Sequence, residues 1–337
     1  MLLNQMLLAT ATALYSISLN LWAALVLESG RQPLKVRSIA MRMTTRYRQL
    51  INRPEIAVMV GAYDALSARM VERAGFDLAF VHDFGISAGM LGMPDMGLVT
   101  LTEMTAAAAN VVKTVDIPVV ADGGCGFGNP LNTYRTVREY EAAGAAGVNI
   151  EDQVYPKRCG HLAGKQVITP EEMLDKIQAA IDARRDPDFV ITARVDSIAI
   201  HGMDDAIRRA NLYASAGADL IFIEAPTCVE DVARTIDEVD APSWINLVEG
   251  GKTPLIPIPQ LQEMGAAVVD YGPLVLFAAT AGISRALDVL KRDGTTEAHL
   301  SELMTFAELN QLNRIDDYQA MEARYGVNSK SINLDSA

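Results

Sequence analysis

From Glu55 onward one phrase recurs in this 337-residue chain: an amphipathic helix, a glycine at its end, then a short apolar run. No other feature constrains the fold as strongly. Glycine at that place accepts the left-handed backbone that stops a helix before a strand, and Gly75, Gly144, Gly217 and Gly265 stand there. The runs that read as strands buried on both faces are 56–60, 77–82, 117–121, 146–150, 189–193, 219–223, 243–247 and 267–271. Strands in that number, alternating with helices, predict a closed parallel (β/α)8 barrel of the TIM type in the α/β class. The competing doubly wound open sheet needs a glycine-rich dinucleotide turn after an early strand, and the sequence has none. A barrel takes about 250 residues. The expected organisation is therefore an N-terminal extension over 1–45, the barrel over 46–291, and additional C-terminal helices over 292–337. Past the eighth run, helical stretches at 276–291 and 296–324 carry apolar surface with no strand to cover, which suggests subunit contacts. Packing across the bottom of the barrel is the competing reading.

Charge and cysteine usage exclude several classes. Residues 1–53 carry seven basic residues and one acidic residue, leaving 22 basic against 41 acidic in the remainder. So acidic a body repels phosphate backbones, and nucleic acid is not an expected partner. Cys125, Cys159 and Cys228 are widely spaced with no metal-type pairing, so a reducing compartment is expected rather than a disulfide framework. Met1 to Leu27 is uncharged and largely apolar. As a signal peptide it lacks a positive start and a small-residue cleavage site. As a membrane anchor it is long enough, but Asn4, Gln5, Ser16 and Asn20 interrupt it. The favoured reading is an organellar leader or an artefactual upstream start, with the protein proper beginning near Met41 or Met43. A cytoplasmic enzyme is expected, or a mitochondrial or other organellar one if the segment is a leader. No membrane partner is expected unless residues 1–27 are an anchor.

In this fold, chemistry gathers at the C-terminal ends of the strands. At or just past the expected strand ends stand His82-Asp83, Asp122, Glu151-Asp152, Arg194, Glu224 and Asn246. Asp122 and Glu151 offer oxygen ligands to a hard cation. Magnesium needs only one or two carboxylates, with water and substrate completing its octahedron; manganese is the alternative. Arg194 offers a bidentate fork to a substrate carboxylate. Ion pairs that merely brace the rim are the structural alternative for all of these charges. The loop after the fourth strand reads Lys157-Arg158-Cys159-Gly160-His161. A lone cysteine is more often an inert buried hydrophobe, but this one is flanked by two cations and a histidine beside glycines. That setting is expected to lower the thiol pKa and to suit proton transfer.

At these residues the sequence resembles the isocitrate lyase and phosphoenolpyruvate mutase superfamily, over the span from about Arg46 to Arg324. The phrases that carry the resemblance are KRCGH (157–161), GAYDALSA (61–68), GMPDMG (92–97), EDQVYPKRCGHLAGK (151–165), ARVDS (193–197), FIEA (222–225) and VEGGKTP (248–254). Their wording is most similar to the branch that holds 2,3-dimethylmalate lyase, the petal death protein and carboxyphosphonoenolpyruvate phosphonomutase, with 2-methylisocitrate lyase as a close cousin. The resemblance implies a magnesium-dependent lyase that splits a 2-hydroxy dicarboxylate into an α-keto acid and a second acid through an enolate. It implies metal binding by Asp122 with Glu151 in its shell, and charge stabilisation by Arg194. Cys159 is implied as the proton donor, on a mobile loop where Lys157, Gly160 and His161 also act. Glu224 and Asn246 match substrate-carboxylate or loop contacts, and Asp95 matches an acid that shapes the metal site. A homotetramer is likewise implied. Phosphorus–carbon chemistry, oxaloacetate hydrolysis and a catalytically impaired relative are the alternatives.

Two departures bear on specificity. The family's metal strand reads D-A-D-T-G-Y-G, whereas here Gly124 stands at the second acid. Magnesium is expected to bind more weakly there unless another acid, Asp83 by position, replaces it. After the second strand, His82-Asp83-Phe84-Gly85 stands where many members have a small S-G-x-G turn that holds the keto acid. Phe84 is expected to reshape the pocket, and Asp83 to disfavour an extra carboxylate.

Overall fold

The structure is a computed structural model that describes residues 41–325. The readings made for residues 1–40 and 326–337 lie outside the described residues. Eight strands form: β1 Ala57–Gly61, β2 Leu78–Val81, β3 Val119–Asp122, β4 Gly147–Glu151, β5 Val190–Val195, β6 Leu220–Ile223, β7 Ser243–Asn246 and β8 Val268–Tyr271. They pair in parallel in chain order, and β8 closes onto β1 with Ala57 opposite Val268. Every residue of β2 through β6 is buried. That is why the runs are continuously apolar: one face fills the barrel and the other meets the helices. Gly75, Gly144, Gly217 and Gly265 all have positive φ where their helices end.

The helix Met43–Asn52 precedes β1 and turns Tyr47, Leu50 and Ile51 onto Ala57, Leu78, Val190 and Val268 at the strand starts. It thereby covers the N-terminal mouth of the barrel. Above it Trp244 fills the axis, stacked on Phe222 at 4.9 Å and edge-on to Phe80 at 5.0 Å. The bottom is sealed by apolar side chains, so polar chemistry is left to the opposite rim.

The first helix expected after β8 is present as Leu274–Asp293. The single stretch expected over 296–324 is not. It is divided into a 3-10 turn Glu297–Glu302 and two helices, Phe306–Leu312 and Ile315–Tyr325. The physical reasons are local. Thr305 and Glu308 form a reciprocal cap that starts a new helix, and Arg314 takes a positive φ of 61° that ends it. Ile283, Leu287, Leu290 and Phe306 in this region are exposed. Among the described residues no helix is long and apolar enough to cross a membrane.

Candidate active site

One cavity of about 240 Å³ opens at the C-terminal rim. Its wall includes His82, Asp83, Phe84, Asp95, Asp122, Lys157, Cys159, Gly160, His161, Arg194, Glu224 and Asn246. Of the expected site residues, Glu151 and Gly85 do not reach the wall. Glu151 lies fully buried behind Arg194, with its Oε2 3.4 Å from Arg194 Nε. Gly85 is spent locally, its backbone N–H donating to His82 Nδ1 at 3.1 Å.

Electrostatics dominates the side of the rim formed by β3 to β6. Arg194 donates to both oxygens of Asp196, Nε to Oδ2 at 2.7 Å and Nη2 to Oδ1 at 3.1 Å. Its Nη2 also lies 3.0 Å from Glu224 Oε2. Lys165 Nζ closes the other side of Asp196 at 2.9 Å. Burial would raise the Asp196 carboxyl, but Arg194 and Lys165 hold it well below the usual range. The guanidinium is thus locked in place before any substrate arrives. Burial likewise opposes ionisation of Glu224, yet Arg194 and then His161 keep it low. His161 Nε2 stands 3.1 Å from Glu224 Oε1, while its Nδ1 accepts from Lys252 N at 3.2 Å. Gly160 passes so close above Arg194 that a Cβ would lie 2.4 Å from Nη2. Only glycine lets the loop settle there.

The thiol departs from expectation. Burial, and then Asp95, push Cys159 up to about 11, so it is a protonated thiol and not a thiolate. The two neighbouring cations point elsewhere. Lys157 is buried in ion pairs with Asp83 and, at 2.7 Å, Asp95. Arg158 is exposed, its Nη1 donating to the Ala163 carbonyl at 3.4 Å. Sequence adjacency on a loop does not fix side-chain direction, and here successive residues face opposite ways. Cys159 itself is tied by its backbone N–H to the Asp95 carbonyl at 3.3 Å.

Asp122 and Glu151 end neighbouring strands, and burial outweighs the nearby Arg194 and Lys157 at both. Asp122 Oδ1 accepts from Gly124 N at 2.9 Å and Oδ2 from Asp83 N at 3.4 Å. Burial and then Asp83 raise its carboxyl to about 7. Burial pushes Glu151 well above the usual range despite Arg194 and Lys157, and its Oε2 has no hydrogen-bond partner. A carboxylate oxygen that makes no hydrogen bond, with only Arg194 at 3.4 Å, beside a second carboxylate raised by burial, fits a divalent cation of oxygen preference. Among the described residues no group of three or more metal-type side chains comes together; magnesium does not require one. Asp83, expected to stand in for the missing acid, is next to Asp122 as its position suggested, but Lys157 already holds its carboxylate. At Gly124 the place for that acid is open: φ is 47° and a Cβ would meet nothing within 4 Å.

The remaining side of the rim is aromatic. His82 stacks on Phe80 at 5.7 Å and on Phe84 at 6.3 Å, and Phe277 meets Phe84 edge-on at 5.9 Å. Burial lowers His82 to about 4, so it is neutral. Asp270 also lines this side. Three residues that line or brace the cavity escaped the sequence reading: Asp196, Asp270 and Phe277. Asp270 had a signal, being an acid near the end of the eighth apolar run like those at the other strand ends. Asp196 lay inside the ARVDS phrase. Phe277 had none, because helical periodicity does not tell that the first turn of its helix faces the cavity.

A closed (β/α)8 barrel with an acid-rich, arginine-centred rim and a loop cysteine defines a class of enzyme. The family model described as phosphoenolpyruvate phosphomutase matches residues 47–291, and the chain belongs to this family, within the isocitrate lyase and phosphoenolpyruvate mutase superfamily. It is 40% identical over 287 residues to the 2,3-dimethylmalate lyase of Eubacterium barkeri, covering 85% of this chain and 99% of the relative. It is also 40% identical to the chloroplastic carboxyvinyl-carboxyphosphonate phosphorylmutase of Arabidopsis thaliana, over 96% of each. Among solved structures, oxaloacetate acetylhydrolase bound to 3,3-difluorooxalacetate superposes with a TM-score of 0.80 at 32% identity, covering 86% of this chain and 98% of that one. The chain is an enzyme of carbon–carbon lyase type, in a superfamily whose members generally depend on a divalent metal.

Proposed function

We propose that the protein is a magnesium-dependent lyase that cleaves a 2-hydroxy dicarboxylate, methylisocitrate- or dimethylmalate-like, into an α-keto acid and a second carboxylic acid. One observation carries this reading: a thiol kept protonated, Cys159, on a loop over a cavity whose wall also holds Asp122 and Arg194. Magnesium, or manganese in its place, would be held by Asp122 and Glu151 and would supply positive charge to a substrate carboxylate and C2 oxygen. Arg194, immobilised by Asp196, stabilises negative charge on that oxygen at little cost in reorganisation. When the hydroxyl gives its proton to solvent water, the oxygen's electrons form the C2 carbonyl and the C2–C3 bond breaks. The released pair becomes the enolate of the second acid. Cys159 gives its proton to the enolate carbon, which completes the second acid, and the thiolate left behind takes a proton back from solvent. Lys157, fixed between Asp83 and Asp95, positions the loop. His161, held against Glu224 at 3.1 Å, orients the distal carboxylate.

The exposed apolar side chains of the C-terminal helices support a homotetramer. Localisation follows the sequence reading: cytoplasmic, or organellar if residues 1–40 include a leader.

The test incubates the full chain with magnesium and a panel of 2-hydroxy and 2-keto dicarboxylates, oxaloacetate and a phosphonate included, and measures release of pyruvate, glyoxylate or oxalate. Keto-acid release from a substituted malate is the expected result. Turnover of the phosphonate or of oxaloacetate alone would move the reading to those chemistries. Silence across the panel, with no effect of chelator, would contradict an active enzyme.

A further inference from the structure

The cavity is polar in an unequal way. The Lys and Arg side chains on its wall are Lys157 and Arg194, and both are already matched by carboxylates. On the opposite side stands Asp270, 1% exposed, near the end of β8 and in register with Asn246 of β7. Asp270 Oδ1 and Asn246 Oδ1 both lack a hydrogen-bond partner. Phe84 and Phe277 complete that side as an edge-on aromatic pair. A buried oxygen without a partner costs free energy that a ligand's hydrogen bond restores. A carboxylate placed there would meet another acid and no counter-charge, whereas a hydroxyl can both donate and accept. Burial also holds the Asp270 carboxyl well above its ordinary range, which equips it to donate.

We propose that Asp270 is a specificity-determining residue: with Asn246 it holds a hydroxyl on the substituent of the substrate that points toward β8, while Phe84 and Phe277 pack on its carbon skeleton. The substrate is then a malate with an uncharged, hydroxylated alkyl substituent, and not a tricarboxylate. This rests on the reading of the site as a lyase for 2-hydroxy dicarboxylates, and it narrows that class by the charge of the third substituent.

The experiment uses three malates whose 3-substituent ends in methyl, hydroxymethyl or carboxylate. Binding is followed by calorimetry with magnesium present, and keto-acid release is followed separately, in wild type, Asp270→Leu and Asp270→Asn. In wild type the hydroxymethyl compound should bind about tenfold tighter than the methyl one, the worth of one good hydrogen bond, and the carboxylate compound weakest. Asp270→Leu should erase the hydroxymethyl advantage over the methyl compound, with its denaturant midpoint showing that the fold is intact. Asp270→Asn should retain most of the advantage, because the amide still hydrogen-bonds. Tightest binding of the carboxylate compound to wild type, or an unchanged order in Asp270→Leu, would overturn the proposal. The expected binding order without keto-acid release contradicts the lyase reading and sustains the preference. Release with the carboxylate compound preferred does the reverse, and absence of binding by all three overturns both.

Discussion

The two sides of the barrel rim solve different problems with different forces. On the side of β3 to β6, fixed charges hold one another: Arg194 is gripped by Asp196 and Glu224, Lys165 by Asp196, and Lys157 by Asp83 and Asp95. On the side of β7 and β8, neutral His82 from the end of β2 stacks between Phe80 and Phe84, with Phe277 beyond. Buried charge networks are costly to assemble and cost more to break at one member. Aromatic contacts tolerate change of shape. The difference means that substitution on the first side disturbs buried charge, whereas on the second it mainly alters the shape of the cavity wall.

The comparison breaks most visibly at Asp196. Asp196→Asn leaves Arg194 and Lys165 without their shared carboxylate and should cost about 3–5 kcal/mol in denaturant unfolding, the penalty for an unpaired buried charge. Phe277→Leu on the aromatic side should cost about 1 kcal/mol or less. Equal losses would mean that the two sides do not differ as described.

A smaller effect tests the neutral histidine. His82 has its folded-state pKa lowered to about 4 from 6.5 by burial. The unfolded chain therefore binds a proton that the folded one refuses. This contribution is fully present above about pH 6.5 and is lost as pH falls toward 4, up to about 3 kcal/mol. Denaturant midpoints for wild type and His82→Gln across that window should diverge, with wild type falling more steeply. Parallel curves would place a charged or solvated imidazole at the site.

One expected change is a gain. Gly124→Asp puts a carboxylate into open space beside Asp122, in a backbone region that aspartate tolerates. Magnesium affinity by calorimetry should rise by about tenfold, the scale of an outer-shell ligand. No gain would show that the glycine does not weaken the metal site.

Much of this was legible in the sequence, for physical reasons. Helix-ending glycines and doubly buried strands leave periodic marks, and once strand ends are known, Asp122, Arg194, Glu224 and Asn246 fall on one rim. Side-chain direction leaves no such mark. KRCGH reads as a cationic nest for Cys159, yet Lys157 turns to Asp83 and Asp95 and Arg158 to solvent, while burial and then Asp95 push the thiol pKa up. Glu151 stands at a strand end and still points behind Arg194. Phe277 stands in the first turn of the helix Leu274–Asp293, and helical periodicity does not tell that this turn faces the cavity.

The central claim is that Cys159 carries the proton that ends the reaction. In deuterated water, with magnesium and a malate that releases keto acid, NMR follows deuterium entering the carbon severed from C2. Wild type should give the second acid with one deuterium at that carbon. Cys159→Ser should bind the substrate within a few-fold of wild type and form the deuterated acid about 10²- to 10⁴-fold more slowly, the range for loss of a general acid. Deuterated acid formed by Cys159→Ser at the wild-type rate would contradict the account.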